Sequence, residues 1–189
     1  MDTPTEKHKT AISSDQSPSR RLAPGAPVKL VQALVQSMVG AELVSPGEEF
    51  WIALQRLWNV PLLDNRANSF RHLEPNWPQA RVRMITVLEK LVKEGVQVRI
   101  ITEAHRSNQT FADEFRALPH GSEDPSLCTV EDWGRTIGGI VGSSFYLEGG
   151  LQCSRASGLT VTGRELLVFA DEDAVQQGRQ RLSEMWQMS

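Results

Sequence analysis

The strongest constraint on this chain lies between residues 79 and 102, where a helical apolar spacing stops at a glycine and a strand pattern begins at once. Val82, Ile85, Leu88 and Val92 recur at helical intervals and Met84, Val87 and Leu91 widen the stripe. Pro78 suits the first turn and Gly95 the end, which predicts a helix over residues 79–94. Val96-Gln97-Val98-Arg99-Ile100-Ile101-Thr102 then alternates as a strand does. A helix running straight into a strand must fold back over a sheet, so an α/β architecture is expected.

The same change of period recurs along the chain. Leu30, Val31, Leu34, Val35 and Met38 mark one face of a helix that Gly40 can end, and Ala41-Glu42-Leu43-Val44-Ser45 reads as a short strand closed by Pro46-Gly47. Phe50, Leu54 and Leu57 have helical spacing within residues 48–58. Residues 60–78 read as a long irregular connection, which in a compact domain usually serves function. Phe111, Phe115 and Leu118 predict a helix from near Asn108 to Pro119. Strands are expected at residues 127–130, 136–141, 159–162 and 166–170, followed by a helix capped by Asp171 and bearing Val175, Leu182, Met185 and Trp186. The expected fold is a sandwich with a central mixed β-sheet flanked by helices.

A length of 189 residues allows one buried core and excludes two ordinary ones. Residues 1–27 are rich in Ser, Thr and Pro with few large apolar side chains, and are expected to be a disordered tail ahead of one domain over residues 28–189. Twenty Lys+Arg against 23 Asp+Glu give a net charge of -3, which excludes a positive field over the whole domain but leaves a local basic groove open. The two cysteines, Cys128 and Cys153, form neither a disulfide framework nor a zinc spacing, as expected in a reducing compartment. No stretch approaches the roughly 20 apolar residues of a membrane span, nor is there a secretory leader pattern, so a cytoplasmic location without membrane contact is expected.

Few residues carry a chemical signature. Gly138-Gly139-Ile140-Val141-Gly142-Ser143 lacks the Lys-Ser/Thr of a phosphate loop and reads as a glycine-bearing strand and turn. His8, His72, His105 and His120 stand singly, without metal-site spacing, so neither metal nor cofactor is expected. Asp64-Asn65-Arg66 follows an apolar run: the carboxylate and guanidinium could orient a ligand, or Asp64 and Asn65 could hold a turn while Arg66 pairs with an acid. Trp51, Trp58, Trp77, Trp133 and Trp186 are spread along the chain, the distribution of packing residues more than of a stacking platform.

Three stretches together resemble the phospholipase D-like superfamily, particularly the small single-domain members encoded beside bacterial phage-defence systems of the DISARM type and DNA-modification clusters. They are Leu43-Val44-Ser45-Pro46 with Val60-Pro61-Leu62-Leu63-Asp64-Asn65-Arg66; residues 82–102 with Asn108 and Phe111; and Gly142-Ser143 through Gly150-Leu151, with Glu165-Leu166-Leu167-Val168-Phe169-Ala170-Asp171. The resemblance implies a phospholipase D-like sandwich and a homodimer. The family signature is His-x-Lys, four residues, Asp, six residues, Gly-Ser, then Asn two further on; its histidine forms a phosphohistidine. Anchored on Gly142 and Ser143, it places Cys128 at the histidine, Val130 at the lysine, Arg135 at the aspartate and Phe145 at the asparagine. No lysine follows Lys93.

The resemblance therefore implies a non-catalytic subunit of a defence or DNA-processing assembly, bound to a partner protein, with Asp64, Asn65, Arg66, Arg135, Ser143 and Arg155 as binding candidates for phosphate or nucleic acid. Two alternatives stay open. One is an active phosphodiesterase or nuclease in which Cys128 or a partner residue replaces the histidine; the other is a simple nucleic-acid-binding module using Arg81, Arg83, Arg99 and Arg106.

Overall fold

The computed structural model describes residues 17–118, 126–134 and 137–189. A seven-stranded mixed sheet organises the chain. Its strands are β1 (Arg20–Leu22), β2 (Glu49–Ala53), β5 (Gln97–Glu103), β6 (Ser126–Val130), β7 (Gly138–Val141), β8 (Tyr146–Ser154) and β9 (Gly158–Phe169), in the order β1-β9-β8-β7-β2-β5-β6. β2, β5 and β6 run parallel, while β7, β8, β9 and β1 each pair antiparallel with their neighbours. A separate ribbon joins β3 (Pro61–Asp64) to β4 (Arg81–Arg83).

Side chains leave β2 alternately to two cores, as strand geometry requires. Phe50 and Ile52 enter one core with residues of α1 (Val28–Val44), α2 (Met84–Lys93) and α3 (Gln109–Arg116). Trp51 and Ala53 enter the other beneath α4 (Glu172–Gln187), with Val141, Tyr146, Val175 and Leu182. The sheet thus lies between α1, α2 and α3 on one face and α4 on the other, the mixed sandwich expected from the sequence.

β5 matches its predicted position within one residue, and Asp171 caps α4 by accepting the Ala174 N–H at 2.8 Å, but α2 begins at Met84: residues 81–83, expected in its first turn, are β4, held by pairing with β3 in the stretch expected to be irregular. Elsewhere local pattern and tertiary structure part. Residues 41–44 continue α1 and form no strand, because Glu42 and Leu43 complete its buried face; Gly40 sits inside the helix, facing Phe70. Residues 49–53 are strand and not helix: burial on both faces gives β2 a continuous apolar run that hides the period of two. β8, unread in the sequence, fills the place beside β7, and the two strands expected at 159–162 and 166–170 are one, β9. The tail expected through residue 27 is ordered at its end: Arg20–Leu22 pair with Leu166–Val168, Leu22 is buried, and the Gly25 N–H donates to the Val161 carbonyl. Residues 1–16 lie outside the described residues.

Candidate functional site

The positions anchored on the family signature do not converge. Cys128 and Val130 lie on the edge strand β6, with β2 and β5 between them and β7. β7 runs antiparallel to β2, pairing Val141 with Trp51, so Gly142 and Ser143 emerge at the amino end of β2, whereas β6 leads away from Cys128 towards the carboxyl end. Phe145 is buried, edge-on to Phe50. Arg135 and His120 lie outside the described residues.

Ser143 has a structural partner. Its backbone N–H and hydroxyl donate to one carboxylate oxygen of the fully buried Glu42, at 2.6 and 2.8 Å, while the other oxygen accepts the Gly47 N–H at 2.8 Å. A Cβ on Gly142 would come within 2.5 Å of the same carboxylate, so the glycine is what lets the turn close over it.

The Asp-Asn-Arg segment is also tied to its own loop. Asn65, fully buried, accepts the Phe70 N–H through its side-chain oxygen and donates its amide to the Pro78 carbonyl, both at 3.0 Å, pinning the connection that joins β3 to β4. Asp64 receives the Arg66 guanidinium at 2.8 and 2.5 Å, and this hydrogen bonding lowers its carboxyl pKa to about 2. The acid and base thus satisfy each other at the surface.

Neither cysteine is activated. Burial pushes the Cys153 thiol up to about 11, against a weak bond to the Trp58 carbonyl; Cys128, half-buried beside the Ser189 hydroxyl, is also raised by burial. No group of three or more His, Cys, Asp or Glu that could hold a metal occurs among the described residues.

A site is built instead where the parallel strands end. In sheets of this kind, loops at the carboxyl ends of strands frame ligand crevices, since successive connections diverge there. The chain leaving β2 supplies Gln55, Arg56 and Trp58, that leaving β5 supplies Ser107, and β8 ends in Gln152, Cys153 and Ser154; together they line a cleft of about 320 Å³. Arg106 and Arg155 adjoin Ser107 and Ser154, are exposed, and form no ion pair with any described residue. Arg56 contacts the Glu103 carboxylate.

Asn108 holds the first wall. Almost fully buried, it accepts the Leu57 N–H at 2.9 Å and donates its amide to the Gln55 and Glu103 carbonyls and the Thr102 hydroxyl, at 3.1, 2.8 and 2.8 Å. No motif in the sequence signals this cluster, because Gln55 and Leu57 lie about fifty residues before Asn108; a polar Asn at the start of a helix is its only local trace.

Of the other arginines, Arg81 and Arg83 are exposed on β4, and Arg99 lies 4.7 Å over the Trp51 ring while pairing with Glu49. Arg99 is thus spent on the α4 core, and of that set Arg106 alone adjoins the cleft.

The fold is phospholipase D-like. Two solved structures are similar to it: an archaeal chromatin protein, TrmBL2, with a TM-score of 0.51 at 10% identity over 96% of this chain and 55% of that one, and NucT from Helicobacter pylori, with a TM-score of 0.50 at 9% identity over 89% of this chain and 94% of that one. This chain therefore spans little more than half the length of TrmBL2. No family model and no curated protein matches the sequence. No helix among the described residues is long and apolar enough to cross a membrane.

Proposed function

We propose that this chain is a phospholipase D-like domain that binds nucleic acid without cleaving it, through the loops at the carboxyl ends of β2, β5 and β8. The observation that carries this reading is one cleft lined by Arg56, with the exposed Arg106 and Arg155 next in sequence to its lining residues Ser107 and Ser154, in a chain whose net charge is -3. Local positive charge of this kind offsets phosphate repulsion without a globally basic domain. The DNA binding of TrmBL2, whose structure is described as showing a novel mode of DNA binding, is consistent with it.

Absence of cleavage is supported by the sequence and by thiol chemistry. No lysine follows Lys93, and the Cys128 thiol is held in its neutral form by burial. In the competing nuclease reading Cys128 attacks phosphorus, which requires a thiolate. The finer assignment, a homodimeric non-catalytic subunit working with a partner protein in a bacterial defence or DNA-processing assembly, rests on the family resemblance.

The test is binding of a labelled oligonucleotide across a salt series, with product analysis of the same samples. Affinity falling with salt at a log-log slope of about -1.4 to -2.7, with intact oligonucleotide, is expected for two or three phosphate contacts at about 0.7–0.9 each. Cleavage abolished by Cys128→Ser would overturn the non-catalytic reading, and absence of binding at low salt would overturn the whole. Light scattering of the purified chain checks the dimer.

A further inference from the structure

The chemistry of the cleft differs from that of its rim. Arg56 lines the cleft but is paired with Glu103, and Arg106 and Arg155 adjoin it in sequence, whereas its other lining residues are uncharged: Gln55, whose amide lies 3.5 Å from the Glu103 carboxylate, Trp58, Ser107, Gln152, Cys153 and Ser154. A groove that only tracked a phosphate backbone would need cations along its floor. Amide side chains instead offer a donor and an acceptor side by side, matching the edge of a nucleobase, and an aromatic face accepts a base by stacking.

Size points the same way. At about 320 Å³ the cleft lies at the small end of ligand pockets, enough for one nucleotide unit and far too small for a duplex. In a duplex the base edges and faces are occupied by pairing and stacking, so only an unpaired base can enter.

We propose that the cleft is a pocket for a single unstacked nucleobase, with Gln55 and Gln152 on its edge, Trp58 against its face, and the flanking phosphates held by Arg106 and Arg155. This deepens the nucleic-acid reading by assigning single-stranded nucleic acid as the ligand. Gln152 is solvent-exposed on β8, so its side chain is available to a ligand and its replacement leaves the cores intact. Trp58 is partly packed against the main core, so it is a riskier position to truncate.

The experiment compares a fluorescein-labelled 12-nucleotide single strand with the duplex of the same sequence, by anisotropy at low salt, in the full chain and in Gln152→Ala. The single strand is expected to bind about tenfold more tightly than the duplex, within the range of one stacked and read base. Gln152→Ala is expected to remove about fivefold or more of the single-strand affinity while leaving duplex affinity and the salt slope unchanged. Trp58→Phe, which keeps an aromatic ring, is expected to retain most of the preference, and Trp58→Leu to lose it if its unfolding midpoint shows it folded.

Equal or tighter duplex binding would overturn the base pocket and leave the nucleic-acid reading standing. An unchanged single-strand to duplex ratio in Gln152→Ala would do the same. Failure of both probes to bind at low salt would overturn the nucleic-acid reading, and the pocket with it.

Discussion

The Glu42 carboxylate accepts the backbone N–H and the hydroxyl of Ser143 at 2.6 and 2.8 Å, joining a helix to a strand turn 101 residues away in sequence. Its other oxygen takes the Gly47 N–H, so one buried side chain fixes both the entry to β2 and the turn between β7 and β8. Replacing Glu42 with Ala removes the acceptor of three part-buried hydrogen bonds, of which the Ser143 hydroxyl keeps a second at 3.3 Å to the Ser45 carbonyl, and is expected to cost about 2 kcal/mol, read as a lower urea midpoint. Ser143→Ala removes only the hydroxyl's bonds to Glu42 and to the Ser45 carbonyl, keeps the backbone one, and is expected to cost about 1 kcal/mol. Oligonucleotide affinity should be unchanged in Ser143→Ala, because the turn and the cleft lie at opposite ends of the strands.

Asn108 is expected to matter for both stability and binding. Asn108→Ala leaves the Leu57 N–H without its acceptor and the Thr102 hydroxyl without a donor, whereas the Gln55 carbonyl keeps the Thr102 hydroxyl and the Glu103 carbonyl keeps the His105 N–H. A loss of about 1–3 kcal/mol is expected by urea denaturation, from the unpaired buried groups. In the folded fraction the wall formed by Gln55 and Arg56 is loosened, so oligonucleotide affinity should fall too.

Removing the rim arginines one at a time should separate charge from shape. Arg106→Gln and Arg155→Gln are each expected to reduce the magnitude of the log-log salt slope by about 0.7, the value for one phosphate contact on a single strand. Arg81→Gln, on the β3-β4 ribbon, is the control and should leave the slope unchanged. Equal slopes in all three variants would place the phosphate contacts elsewhere.

Asp64 and Arg66 supply a pH signature outside the cleft. Hydrogen bonds from Arg66 lower the folded carboxyl pKa from its ordinary value to about 2. A depressed carboxyl pKa means that the pair's contribution is fully present above about pH 4 and is lost as pH falls towards 2. Both groups lie at the surface, so solvent screening keeps this contribution small. A carboxyl NMR titration should return the Asp64 midpoint towards the usual range in Arg66→Gln; an unchanged midpoint would show that the pair is not formed.

Both thiols should be slow. With Cys153 at about 11 and Cys128 raised from its ordinary value by burial, little thiolate exists at pH 7. Reaction with a disulfide reagent is expected to be slower than that of free cysteine and to accelerate with pH. Rapid labelling of Cys128 at pH 7 would revive it as a nucleophile.

Local sequence was informative wherever an element buries one face only. α2 and α4 carry one-sided apolar stripes, and β5 alternates, so their periods survive in the sequence and their positions are legible. β2 is buried on both sides and its Phe-Trp-Ile-Ala run has no readable period; Gly40, a residue that commonly ends helices, made the last turn of α1 read as a separate strand. The resemblance to phospholipase D-like proteins reached the fold, but anchoring on Gly142 and Ser143 took a structural turn for a chemical motif.

What the sequence determined by itself is the class of fold, the absence of any lysine in its second half, and the local turns that Asn65 and Asp171 hold. What only the tertiary structure decided is the cleft. Gln55 and Arg56, Ser107, and Gln152 with Ser154 are joined by no local pattern, and they meet because β2 and β5 run parallel and β8 returns in the same sense. Strand order and direction are set by long-range packing of both sheet faces, and those contacts leave no period in a linear chain.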